Sequence, residues 1–159
     1  MASETILGIS PGTRSVGVAI IRDGRLQHWQ IHSFSGAWSN TKLKYILHTL
    51  NQYTNKHKAR RVAIKIPDKF PTSKGYNQII GTLNIFFKQE NISVEYFTLS
   101  DLKIEYSGNM QTNMKLLIED IVGKHPELLT EYKKEQENKN AYYHKVFEAV
   151  AVAQMTYSI

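Results

Sequence analysis

The chain has no cysteine, so disulfides and thiolate metal centres are excluded and the redox compartment cannot be read. Only four prolines and nine glycines punctuate 159 residues, and no Pro-, Gly- or Ser-rich linker or low-complexity tract divides them. No apolar run approaches the length needed to cross a bilayer. The opening residues MASETILGI show no basic region followed by a long apolar stretch, so a soluble, cytoplasmic protein without membrane contact is expected. Acidic residues are outnumbered: 14 Asp and Glu face 20 Lys and Arg, a formal charge of +6. That balance favours polyanionic partners, nucleic acid first among them, although it says nothing about fold. With 42% hydrophobic residues the chain can bury a sizeable core, and its length suits one domain spanning residues 1–159.

The first third reads as a β-meander. TILGIS (5–10) and SVGVAIIR (15–22) are apolar and rich in β-branched residues, and Asp23-Gly24 before RLQHWQIHSF (25–34) is a hairpin signal. Ser39 then caps a helix whose apolar residues Leu43, Ile46, Leu47, Leu50 and Tyr53 recur at helical spacing. RVAIKI (61–66) is a strand stopped by Pro67. A second helix begins at Thr72 or Ser73, with Ile79, Ile80, Leu83, Phe86 and Phe87 as its stripe, and ISVEYFTL (92–99) alternates as a fifth strand. Ser100 is expected to cap a short turn. An amphipathic helix ending near Gly123 and a short helix from Pro126 follow. EYKKEQENKN (131–140) reads as a solvated loop or helix end, and AYYHKVFEAVAVAQMTYSI as a small-residue helix suited to lie against a sheet. Three antiparallel strands followed by helix-separated ones predict an α/β fold: a mixed five-stranded sheet with helices on its faces.

The segment ILGISPGTRSVGVAIIRDGRL (6–26) resembles the opening hairpin of RuvC-type Holliday-junction resolvases, of the ribonuclease-H-like superfamily. RRVAIKIPDKF (60–70) resembles the family's strand ending in a catalytic Glu, followed by an aromatic-bearing loop. SKGYNQIIGTLNIFFKQENISVEYFTLSDLK (73–103) follows its helix, strand and short-helix order, and HKVFEAVAVAQ (144–154) is similar to its C-terminal Asp-x-x-Asp-Ala-Leu-Ala helix. The resemblance implies four positions, acidic in most members, that hold two divalent ions at the scissile phosphate. At these positions the chain carries Ser10, Lys65, Lys145 and Glu148, so only one acid remains. An ammonium beside a dication at ~4 Å is repelled by about 1–4 kcal/mol even when strongly screened.

The expectation is therefore a degenerate site with no catalytic residues, no metal and no cofactor, in which Lys65 pairs with Glu148. Two other functions stay open. Asp68 and Asp101 could rebuild an Mg²⁺-dependent, structure-specific nuclease around Glu148, or the chain could be a protein-interaction scaffold. For nucleic-acid contact the sequence offers Arg14 in the Pro-Gly turn, and Lys69, Phe70 and Lys74 in the loop 67–76, where an aromatic between cations suits stacking with phosphate contact. DNA, branched or duplex, is the favoured partner. The apolar stripe of the 73–90 helix is core first, and a surplus face there would imply a homodimer. The basic set Lys42, Lys44, Lys56, Lys58, Arg60 and Arg61 reads as a solvated face. His144 could be a displaced ligand or proton-transfer group, but beside Tyr142 and Tyr143 it reads first as part of an aromatic helix start, and His28, His32, His48, His57 and His125 read as scattered surface residues without metal-ligand spacing.

Overall fold

A computed structural model describes residues 4–69, 73–138 and 141–158. Five strands form one sheet: β1 (Thr5–Ser10), β2 (Ser15–Arg22), β3 (Arg25–Ser33), β4 (Arg61–Ile66) and β5 (Ser93–Thr98). Their order is β3-β2-β1-β4-β5, with β1–β3 antiparallel and β4 and β5 parallel to β1. Asp23 and Gly24 turn the β2–β3 hairpin with φ of 51° and 83°, the left-handed pair that matches the twist of its strands.

Among the described residues six α-helices flank this sheet: α1 (Asn40–His57), α2 (Lys74–Gln89), α3 (Leu99–Leu102), α4 (Met114–Lys124), α5 (Leu129–Asn138) and α6 (His144–Tyr157). Alternation along the strands sorts the core into two layers. Leu7, Ile9, Val16, Val18, Val62 and Ile64 pack with Ile46, Leu50, Ile79, Leu83 and Phe87 of α1 and α2. The opposite face carries Ala19 and Ala63 under α4 and α6.

Small residues there let α6 approach the backbone of the sheet. A Cβ on Gly8 would collide with the carbonyl oxygen of Ala149, and one on Gly17 with that of Lys145. The run Ala149 to Ala153 is fully buried as a result. This close seating fixes the first turn of α6 over the ends of β1 and β4, where the candidate site lies.

Some expectations shift. The short helix after β5 is capped by Thr98 rather than Ser100: Thr98 and Asp101 form a reciprocal capping box, and the Ser100 amide donates to Asp68 Oδ1 at 2.9 Å. A π-helical turn, Lys103–Ser107, extends it. The charged stretch is helical from Glu131 to Asn138, within α5, and it is not wholly solvated: Glu135 turns inward and is buried. Its carboxylate accepts from the Tyr143 amide and lies 3.4 Å from His144 Nε2. Tyr143, the N-cap of α6, has no side-chain cap of its own, so Glu135 supplies that acceptor from another helix. The basic set is not uniformly solvated either. Lys42 is buried and donates to the Gly36 carbonyl at 2.9 Å, and Arg61 bonds Glu4 and the Thr156 carbonyl.

Candidate nucleic-acid interface

Register brings the key side chains together. Ile9 pairs with Ile64, so Ser10 and Lys65 follow at the same level on neighbouring strands. Both alternate onto the α6 face, beneath Lys145 and Glu148. Ser10 Oγ donates to Glu148 Oε1 at 2.8 Å, and Lys65 Nζ lies 3.2 Å from Glu148 Oε2, the pairing expected from the sequence. Glu148 is only 5% exposed and Ser10 1%, so both oxygens of this carboxylate are engaged away from bulk water.

Lys145 points elsewhere. Its ammonium donates to the Pro11 carbonyl at 3.2 Å, across the flat face of Gly12, where a Cβ would crowd the lysine's own Cε and Nζ. Burial is the main cause that pulls the Lys145 amine below the usual lysine range; Glu148 opposes the shift and the Lys65 charge adds to it.

An open cleft of about 340 Å³ lies over these groups, lined by Gly12, Thr13, Arg14, Lys65, Tyr76 and Lys145 among others. Ser73 caps α2 by accepting from the Tyr76 amide at 3.2 Å, which orients Tyr76 toward the strand end. The Tyr76 hydroxyl then donates to the Lys65 carbonyl at 3.4 Å. Burial, helped by the Glu148 charge, pushes its phenol well above the ordinary range, so Tyr76 keeps its proton. Three cations and a protonated phenol thus face one cleft around one neutralised carboxylate.

Of the residues expected to contact nucleic acid, Arg14 lines the cleft. Lys69 and Lys74 are exposed at its margin, before and at the start of α2, and do not line it. Phe70 lies outside the described residues. Asp68 is held by Ser100 and Asp101 by Thr98, and among the described residues no three His, Asp or Glu side chains form a group able to hold a metal ion. The sequence did not single out Tyr76; its only signal was a position three residues past the Ser73 cap.

The family of crossover junction endodeoxyribonuclease RuvC matches residues 6–136. The chain belongs to the RuvC family. The match ends before α6, so Lys145 and Glu148 are related to the family through the fold alone. No curated protein sequence matches this RuvC-family chain. Among solved structures it is similar to Thermus thermophilus RuvC in complex with Holliday junction substrate, with a TM-score of 0.71, 12% identity, and coverage of 95% of this chain and 91% of that one. Another structure of T. thermophilus RuvC gives 0.68 at 12% identity, covering 94% and 91%. The fowlpox virus resolvase complex with Holliday junction DNA gives 0.58 at 12% identity, covering 96% and 95%. These likenesses establish the ribonuclease-H-like fold. No helix among the described residues is long and apolar enough to cross a membrane.

Proposed function

We propose that this RuvC-family protein binds nucleic acid, with branched or duplex DNA as the favoured partner, and has lost two-metal phosphodiester hydrolysis. The observation that carries the reading is the closed set Ser10–Glu148–Lys65, with the Lys145 ammonium beside it. A hard divalent ion needs several free oxygen ligands. The one carboxylate has both oxygens committed, and two ammoniums occupy the surrounding space, so these residues do not fit Mg²⁺. A phosphate suits them: Lys65, Lys145 and Arg14 supply charge, and the Pro-Gly turn and Tyr76 line the same cleft. Two of the similar structures hold Holliday junctions, which supports a DNA partner by analogy of fold.

Relocated acids draw little support, because Asp68 and Asp101 are both engaged in local capping. A homodimer through α2 belongs to the same proposal: Ile85, on the face of that helix turned away from its buried stripe, is an apolar side chain 59% exposed. Light scattering that returns only monomer mass would remove the dimer without touching the binding claim.

Two measurements test the main reading. Calorimetric titration with Mg²⁺ and Mn²⁺ is expected to show no binding tighter than about millimolar. Gel shifts with four-way junction, duplex and single-stranded DNA are expected to show binding that weakens steeply with salt. Tight metal binding would overturn the loss of hydrolysis, and absence of a salt-dependent shift would favour the scaffold.

A further inference from the structure

Away from the strand-end cleft, a second concavity of about 590 Å³ opens between β3 and α1. His28, Gln30 and His32 alternate onto it from β3. From α1 come Thr49, Gln52, Tyr53, Asn55, Lys56 and His57. The histidines are therefore not scattered over the surface, apart from His48. His125 is buried as well, bonded to the Tyr106 hydroxyl at 3.0 Å.

Every side chain lining this concavity can donate an N–H or O–H, and none is a carboxylate. Tyr53 is the hub. Its hydroxyl lies 2.6 Å from His32 Nε2 and 3.4 Å from His28 Nε2, and donates to Gln30 Oε1 at 3.3 Å. The Tyr53 and His57 rings are within 12° of parallel at 6.1 Å, and His28 and His57 within 28° at 6.2 Å. A donor-rich, acid-free lining that carries the Lys56 charge selects an anion. The volume falls in the ~300–1,000 Å³ range of small-molecule sites, too large for one phosphate group, and the flat rings suit stacking against a heterocycle.

We propose that the β3–α1 concavity binds a phosphorylated nucleoside, stacked on its aromatic wall with the phosphate held by Lys56 and the histidines. A free nucleotide and the end of a nucleic-acid strand share this chemistry. The site has no residue in common with the strand-end cleft and does not depend on that cleft's function.

Proton linkage follows. Burial, and then the His28 charge, lower the His32 imidazole; burial, then His28, Lys56 and Arg22, lower that of His57. Burial aside, each of these influences is a positive charge, so a bound phosphate reverses the repulsion and draws protons in. Binding strengthens as pH falls.

The test is calorimetry of the full chain at about pH 6 and pH 8 with AMP, adenosine, inorganic phosphate and a 5′-phosphorylated dinucleotide. AMP or the dinucleotide is expected to bind at least about tenfold more tightly than adenosine and inorganic phosphate, and more tightly at the lower pH with net proton uptake. The tighter of the two identifies the source, free nucleotide or strand end. Lys56→Gln, an exposed position that leaves folding intact, and His32→Gln are expected to weaken binding severalfold. Neither is expected to alter gel shifts with DNA whose strands lack a 5′ phosphate, which depend on Lys65 and Lys145. Absence of saturable binding by both phosphorylated ligands up to about 10 mM at the lower pH would overturn the proposal, as would equal affinity for adenosine and AMP, or no effect of Lys56→Gln.

Discussion

Replacing Glu148 by Gln keeps the side-chain volume and leaves an oxygen for the Ser10 hydroxyl, but removes the charge that neutralises Lys65. Breaking a fully buried ion pair by removing one partner costs about 3–5 kcal/mol, whereas an exposed pair contributes about 0–1 kcal/mol. The Glu148 side chain is 7% exposed and that of Lys65 19%, so this pair lies below the buried limit. A loss of roughly 2–3 kcal/mol is expected. At about 2–4 °C per kcal/mol for a chain of this size, the melting temperature falls by roughly 4–12 °C. Urea denaturation of the wild type, Glu148→Gln, Lys65→Met and the double variant measures the coupling directly. The double variant is expected to be more stable than the summed single losses by at least about 1 kcal/mol, because it leaves no charge stranded. Additivity within about 0.5 kcal/mol would show that the two side chains do not stabilise one another, and the reasoning would fail.

Lys145→Met should leave stability unchanged or raise it, since the lysine is already disfavoured by burial, while the slope of log affinity against log salt for DNA falls by about one phosphate contact. Its folded-state amine titrates below the unfolded one, so the unfolded chain holds more protons in the interval. Wild-type stability should therefore rise with pH across that alkaline window, and Lys145→Met should flatten the rise. Gly17→Ala should cost at least about 1–3 kcal/mol in chemical denaturation by driving a methyl into the backbone of α6. Glu135→Ala should cost about 1–3 kcal/mol by removing the acceptor of the partly buried Tyr143 amide, and it should weaken DNA binding by loosening the turn that carries Lys145. Burial lowers His125, so stability should drop as pH falls below about 6.5, by at most about 1.4 kcal/mol per pH unit for this group, and His125→Gln should remove that component.

The sheet was legible because its signals are local. Alternation and the Asp23-Gly24 turn define β1–β3, Pro67 follows the end of β4, and helical spacing marks α1 and α2. Four candidate site residues, Ser10, Lys65, Lys145 and Glu148, were reachable through the family resemblance, which matches strand ends and the first turn of the last helix position by position. Other features depend on distances that spacing does not encode. Tyr53 meets His28 and His32 across 25 and 21 residues only because α1 packs on β3. Lys145 turns to the Pro11 carbonyl because Gly12 leaves room, and Glu135 caps a helix to which it does not belong. Charge alone made the α5 stretch read as solvated, but the two amides at the start of α6 draw one of its carboxylates inward.

The ion pair and the binding claim meet in one measurement: purified protein incubated with a labelled four-way junction, with and without saturating Mg²⁺ or Mn²⁺, resolved on native and denaturing gels, with Glu148→Gln as the companion variant. A retarded, salt-sensitive complex that needs no metal is expected, with intact strands throughout and tighter retention by Glu148→Gln because a negative charge has left the floor beneath the cleft. Metal-dependent strand cleavage by the wild type that disappears in Glu148→Gln would contradict the loss of hydrolysis.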